Sequence, residues 1–350
     1  MSTALDEVIL SPHSSILEYT AKDFKPDTDV RWCAGCGGYS ILAQVQKTMP
    51  TLGVPKENIV FISGIGCSSR FPYYMDVFGM HATHGRALPI ATGLKIARPD
   101  LSVWVSTGDG DCMSIGGNHF IHAARRNINL NVLMFNNEIY GLTKGQYSPT
   151  SRLGQVTKSS PLGVLDNPFN PAALALGAGA SFVARGVDSD PHLMRHLLER
   201  AAQHKGFSFV EIYTNCVIFN DGAFEDFRGK ETRKEKTVVL EHGKPLVFGE
   251  HNDKGIRLDG FKPVVVSLNN GYSINDLLVH DETDSTLSFI LANMTYAPDL
   301  PRPLGIFQAL QSVAYEEKMT HLLEKEYAKA GGEGDLDKLL RGEDSWVIQG

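Results

Sequence analysis

Between residues 31 and 220, short apolar runs alternate with longer stretches in which apolar positions recur every three to four residues. The runs at 59–63, 103–106, 132–135 and 208–212 are rich in β-branched and aromatic residues and predict strands. Helical spacing predicts helices over 39–48, 87–97, 118–126 and 192–204. Ahead of the last, Asp190-Pro191 supplies an N-cap and a proline suited to the first helical position. Strand, helix and strand in succession is the pattern of βαβ units, so the expected fold class is α/β, a doubly wound and mostly parallel sheet. Residues 1–30 lack sustained periodicity and read as an N-terminal arm. Residues 146–171 hold four prolines and no period, which predicts a long ordered loop. From 221 to 350 the pattern loosens into a charge run at 228–236, short strand-like pieces and an amphipathic helix over 306–330. That part is expected to be an irregular C-terminal extension of a 31–220 core domain.

Composition narrows the class. With 42% hydrophobic and 21% charged residues the chain can bury a sizeable core, and a net charge of −7 lacks the basic footprint of a nucleic-acid binder. No apolar run approaches the roughly 18 residues of a membrane helix. The first residues, MSTALDEVIL, lack the basic-then-apolar order of a secretory signal, so a cytoplasmic address is expected. Sixteen of the 34 glycines lie between Gly35 and Gly154, and four of the five cysteines fall in or beside that stretch. An odd cysteine count in such a chain is no disulfide framework. Backbone and sulfur are expected to approach something bound there.

The strongest constellation runs from Gly108 to Asn137. A strand-like run ends in Gly108-Asp109-Gly110-Asp111, a helix-like stretch follows, and the next strand ends in Asn136-Asn137, 27 positions after Asp109. Both polar groups then sit at the carboxyl ends of parallel strands, where open α/β sheets bind ligands. Asp109 offers a hard carboxylate oxygen and Asn137 an amide oxygen, both suited to Mg²⁺, with the backbone carbonyl of Ile139 as a third protein ligand. Mg²⁺ completes its shell with phosphates and water, so the spacing predicts a metal-held diphosphate. Neither the dinucleotide fingerprint nor the P-loop pattern is present.

Cys33 and Cys36 form a CxxC in a glycine-rich turn. A redox dithiol, a structural zinc site and an iron–sulfur cluster all use such a pair. Cys67 and Cys216 each follow a predicted strand closely, which favours one four-thiolate site at the edge that carries Asp109. Iron–sulfur and zinc both remain open on the residues alone. Cys112 opens a helix and reads as a small buried filler.

The segments LEYTAKDFKPDTDVRWCAGCGGYSIL, SGIGCSSRFPYYMDVFGMHATHGRALPIATGLK, GDGD through NN, NNEIYGLTKGQYSPTS and NCVIFNDG together resemble the β subunit of the 2-oxoacid:ferredoxin oxidoreductases, closest to the 2-oxoglutarate type. Two departures are minor: Ala34 stands where the family often has proline, and Cys112 where it has a small residue. The resemblance implies a fold of the thiamine-diphosphate-binding type, its diphosphate half. It implies that Cys33, Cys36, Cys67 and Cys216 hold a 4Fe–4S cluster and that Asp109, Asn137 and Ile139 hold Mg²⁺. By the same likeness, Ile65, Gly66, Cys67, Ser68, His84, Gly85, Gly110, Asp111, Asn137, Gly141 and Leu142 line thiamine diphosphate.

Only that half of a thiamine site is legible in 350 residues. The glutamate that activates the aminopyrimidine is therefore expected from a partner α subunit, against which the C-terminal extension packs. With five cysteines there is room for one cluster, so the electron acceptor is an external ferredoxin, and coenzyme A takes the acyl group. A 2-oxoacid needs cationic partners, for which Arg70 and Lys144 are the candidates. The family likeness points to 2-oxoglutarate; pyruvate, a non-redox thiamine decarboxylase subunit and a non-enzymatic metal protein are the alternatives. The 228–236 charge run reads as solvated surface, or else as a contact for an acidic ferredoxin.

Overall fold

The computed structural model describes residues 18–331 and 334–348. Most of the expected N-terminal arm, residues 1–17, lies outside them; the rest of that arm packs down, burying Phe24. Eight strands form the main sheet: β1 (Ile59–Ser63), β2 (Phe78–His81), β3 (Ser102–Gly108), β4 (Leu130–Asn136), β5 (Phe182–Val187), β6 (Phe207–Tyr213), β7 (Thr237–Leu240) and a late strand, Arg302–Ala309. Three more, β8 (Val247–Phe248), β9 (Lys254–Asp259) and β10 (Lys262–Ser267), make a small antiparallel sheet, so the late strand is β11. The main sheet runs β2-β1-β3-β4-β6-β5-β11-β7, and every pairing is parallel except β5 with β11.

Alternation of side chains builds two cores. Val60 and Ile62 of β1, with Val103 and Val105 of β3, face α2 (Ala87–Ala97) and the helices after it, α3 (Asp109–Met113), α4 (Gly117–Arg126) and α5 (Pro171–Gly177). Ile59 and Phe61, with Trp104, face the other side, where α1 (Gly38–Thr48) and α6 (Pro191–Gln203) pack. A parallel sheet covered on both faces needs apolar residues at both parities, which is why these strands read as continuous apolar runs. The predicted strands fall within β1, β3, β4 and β6, and Asp190 caps α6 by accepting from the Leu193 N–H at 3.1 Å.

Residues beyond 221 pack on this core and add two of its strands, β7 and β11. The helix predicted over 306–330 is corrected: Arg302–Ala309 is a strand, and the helix covers Tyr315–Ala330. Ile306 faces one core and Phe307 the other, a period of two that the helical reading overlooked. The charge run ends one short helix, Glu225–Arg228, and forms a second, Lys230–Lys236. Within it Arg228 and Arg233 are not free surface, for they pair with Asp188 at 2.7 Å and Asp190 at 3.1 Å.

Candidate active site

The chain leaves β1 toward β2 on one side and leaves β3 toward β4 on the other, so the crevice between β1 and β3 is a topological switch point. Four adjacent parallel strands, β1, β3, β4 and β6, end at this edge. They are followed by Cys67, Asp109, Asn137 and Cys216 respectively. The order of the sheet thus gathers residues that lie up to 149 positions apart in sequence.

A cavity of about 170 Å³ opens there. Its walls include Ile65, Gly66, Cys67, Ser68, His84, Asp109, Gly110, Asp111, Asn137, Ile139, Gly141 and Leu142, so nearly all residues expected at a diphosphate and its metal share one space. Gly85 does not line it. Its N–H instead donates to Asp111 Oδ1 at 2.7 Å.

Asp111 is the hub of the cavity. The Ile65 N–H donates to Oδ1 at 3.0 Å, His84 Nδ1 lies 2.6 Å from the same oxygen, and the Thr107 hydroxyl donates to Oδ2 at 2.7 Å. The loops after β1 and β2 and the end of β3 are therefore tied to one buried carboxylate, which has little capacity left for a ligand. At Gly64 a Cβ would fall 1.9 Å from Asp111 Oδ2, so only glycine allows this approach.

Asp109 is also buried but holds its partners on one side. Ser148 and Thr150 donate to Oδ2 at 2.5 and 2.6 Å. Burial pushes its carboxyl up to about 6, against the pull of those two hydroxyls. A carboxylate so placed favours a bound cation, which would relieve the cost of burial. Asn137 keeps its amide oxygen near the Ile139 N–H, at 3.2 Å, and its carbonyl accepts from Asn220 Nδ2 at 2.9 Å. The Tyr140 hydroxyl donates to the Gly110 carbonyl at 3.0 Å, and its ring lies 2.2 Å from where a Gly110 Cβ would be.

A second cavity, about 230 Å³, adjoins the first and shares Trp32, Cys36, Cys67, Asn137, Gly141 and Leu142 with it. Cys33, Cys36, Cys67 and Cys216 all line this second cavity, together with Arg70 and Lys144. Arg70 spends one donor on the Arg31 carbonyl at 3.2 Å, and Lys144 is exposed. Burial raises the thiols of Cys36 and Cys67, the latter to about 11, and the neighbouring thiols add to the rise. Among the described residues, no three His, Cys, Asp or Glu side chains are set for a single metal ion. The four sulfurs surround a space rather than a point. At Gly141, between the cavities, a Cβ would stand 3.4 Å from Cys216 Sγ and 3.7 Å from Cys67 Sγ. Cys112 is buried in the core and takes no part.

Four contributing residues were not singled out from the sequence. Trp32 donates from Nε1 to the Cys67 carbonyl at 2.7 Å, which ties the CxxC segment to the loop after β1. Tyr140 shapes the wall by Gly110. Ser148 and Thr150 come from the proline-containing loop, about 40 residues after Asp109, and no periodicity or motif spacing links them to it.

Residues 64–212 match the family model of the thiamine pyrophosphate enzyme C-terminal TPP-binding domain. The chain is 50% identical over 330 residues to the 2-oxoglutarate oxidoreductase subunit KorB of Mycobacterium tuberculosis, covering 93% of this chain and 88% of that one. It is 49% identical over 185 residues to the 2-oxoglutarate synthase subunit KorB of Archaeoglobus fulgidus, covering 53% and 69%. Among solved structures it is similar to a 2-oxoglutarate:ferredoxin oxidoreductase from Magnetococcus marinus with 2-oxoglutarate, coenzyme A and succinyl-CoA bound. That match has a TM-score of 0.73 at 33% identity, over 93% of this chain and 96% of that one. With its diphosphate-type edge and its four gathered thiols, the chain belongs to the β-subunit family of the 2-oxoacid:ferredoxin oxidoreductases.

Proposed function

We propose that this chain, with an α subunit, carries out the coenzyme A-dependent oxidative decarboxylation of 2-oxoglutarate to succinyl-CoA and CO₂, with reduction of ferredoxin. One observation carries the reading: hard oxygen donors and four thiols occupy adjoining cavities that share a wall at Cys67 and Gly141. Thiamine diphosphate supplies a nucleophilic carbon for decarboxylation, and a 4Fe–4S cluster accepts electrons singly.

The residues divide the work. Asp109, the Asn137 amide oxygen and the Ile139 carbonyl would hold Mg²⁺ against the diphosphate, the donor types that this ion takes. Asp111 orders the loops of Ile65 and His84 around it. Cys33, Cys36, Cys67 and Cys216 would hold the cluster. Arg70 and Lys144, on the thiol side, would meet substrate carboxylate as a fork and a point charge. The acids lining the thiamine-side cavity, among the described residues, are Asp109 and Asp111, and both are already engaged. An activating carboxylate for the aminopyrimidine is thus left to the α subunit. Among the described residues no helix is long and apolar enough to cross a membrane; the proposed place of work is the cytoplasm, beside an external ferredoxin.

The test is anaerobic purification with the α subunit, followed by an assay of 2-oxoglutarate- and coenzyme A-dependent reduction of ferredoxin or a viologen. A brown complex that reduces the acceptor supports the reading. A colourless preparation without iron and sulfide overturns the cluster, and turnover with pyruvate alone overturns the substrate.

A further inference from the structure

Arg185 and Glu211 form an ion pair with both side chains fully buried, at 2.7 Å between Nε and Oε2, and neither reaches the cavities. Replacing such a pair with apolar residues often costs nothing, so its presence asks for a role other than stability. Its hydrogen bonds lead to the site. Glu211 receives Arg185 on Oε2, and its other oxygen lies 2.8 Å from Asn136 Nδ2. An ionised carboxylate only accepts, so Asn136 must turn its NH₂ to Glu211 and its Oδ1 the other way. That Oδ1 lies 3.2 Å from the Glu138 N–H and 3.0 Å from the Thr150 hydroxyl. Thr150 has a single hydroxyl proton, and Asp109 Oδ2, at 2.6 Å, is the nearer of its two acceptors; the Ser148 hydroxyl also donates there. Every member of this chain from Arg185 to Asp109 is buried.

We infer that Ser148 and Thr150 are positioning residues for Asp109, and that the Arg185–Glu211 pair, acting through Asn136, holds Thr150 Oγ1 in place, its one proton shared between Asp109 Oδ2 and the more distant Asn136 Oδ1. Both side-chain donors converge on Oδ2, which leaves Oδ1 without a side-chain donor among the described residues. The carboxylate is thereby held in one rotation for the cation. The first asparagine of the Asn-Asn pair is a rigid link in this chain, and the second is the candidate ligand. This rests on the reading of Asp109 as a Mg²⁺ ligand.

The test titrates Mg²⁺ into the α/β complex at fixed thiamine diphosphate, after chelation, following the change in tryptophan fluorescence, Trp32 being the tryptophan of this chain in the cavity wall. Thr150→Val should raise the Mg²⁺ midpoint about tenfold, the loss expected for one charge-assisted hydrogen bond. Thr150→Ser, which keeps the hydroxyl, should restore it to within about twofold. The double variant Arg185→Met with Glu211→Met keeps volume without leaving a lone buried charge, and should raise the midpoint severalfold in a complex that still folds, with a melting temperature lowered by the unpaired Asn136 Nδ2 and the lost bonds to Thr295 and Asn170. A wild-type midpoint for Thr150→Val overturns the inference, and one for a folded double variant overturns its remote half. Asp109→Asn separates the two layers. If it abolishes the Mg²⁺ response while Thr150→Val leaves it unmoved, only the positioning role fails; if it too titrates like wild type, the metal reading itself fails.

Discussion

The two adjoining cavities are built by opposite means. On the diphosphate side the polypeptide fixes its polar side chains in advance: Asp111 carries four partners within 3.0 Å, and Asp109 carries two within 2.6 Å. On the thiol side, the one hydrogen bond to a cysteine sulfur among the described residues is from the Gly38 N–H to Cys36, at 3.4 Å. There it is the backbone that is tied. Cys36 N–H donates to the Cys33 carbonyl at 3.0 Å, Trp32 to that of Cys67 at 2.7 Å, and Asn220 N–H to that of Cys216 at 3.0 Å. A strongly hydrated diphosphate and a small cation would need preset dipoles to replace their water, whereas thiolates would bond strongly to iron and need only be delivered to the right volume. Burial also raises the thiols of Cys36 and Cys67, so assembly of the proposed cluster would release protons.

The contrast is broken most severely at Asp111. Asp111→Ala would orphan two backbone N–H groups and a threonine hydroxyl in a buried place, a loss on the order of 4 kcal/mol or more. We expect a clear drop in the urea midpoint of the complex and no measurable thiamine diphosphate binding by fluorescence. A variant that folds and binds normally would show that the loops are held by something else.

Next in size is Cys216→Ala. Loss of one thiolate should bleach the brown absorbance and remove iron and sulfide, while thiamine diphosphate affinity stays within about threefold. Retained colour would mean that Cys216 is not a ligand. A collapse of thiamine binding would mean that the cavities are not separately built. Smaller again is Arg70→Gln, which removes a charge on the thiol side. It should raise KM for 2-oxoglutarate about tenfold, the worth of one charge-assisted contact, and leave KM for coenzyme A unchanged. An equal rise in both would place Arg70 away from the substrate.

How far these regions could be read in sequence follows the same divide. Strand-end residues were legible because a parallel sheet exports whatever follows each strand to one edge: Cys67, Asp109, Asn137 and Cys216 needed only strand positions and polarity. The hydrogen-bond supports were not. Ser148 and Thr150 sit in a loop without period, and their pairing with Asp109 exists only once that loop closes. Asp111 was read as a wall residue, yet its role as a hub depends on loops after β1 and β2 that no local pattern joins. The helix expected from Ile306 failed for a related reason, because a strand buried on both faces has no polar side to mark its period.

The finest probe of the shared wall is Gly141→Ala. The added Cβ would meet Cys216 Sγ at 3.4 Å and Cys67 Sγ at 3.7 Å, ordinary contacts that the thiol form accommodates without strain. Stability of the protein without its cluster should therefore change by less than about 0.5 kcal/mol, as for a surface substitution. With iron and sulfide in that volume, the methyl group would crowd the face of the cluster turned toward the thiamine cavity. The expected result is a few-fold faster loss of cluster absorbance in air and a few-fold slower reduction of the viologen, with thiamine diphosphate affinity unchanged. If both rates match wild type, the sulfurs must direct the cluster away from Gly141, and the wall between the cavities is thicker than their shared residues imply.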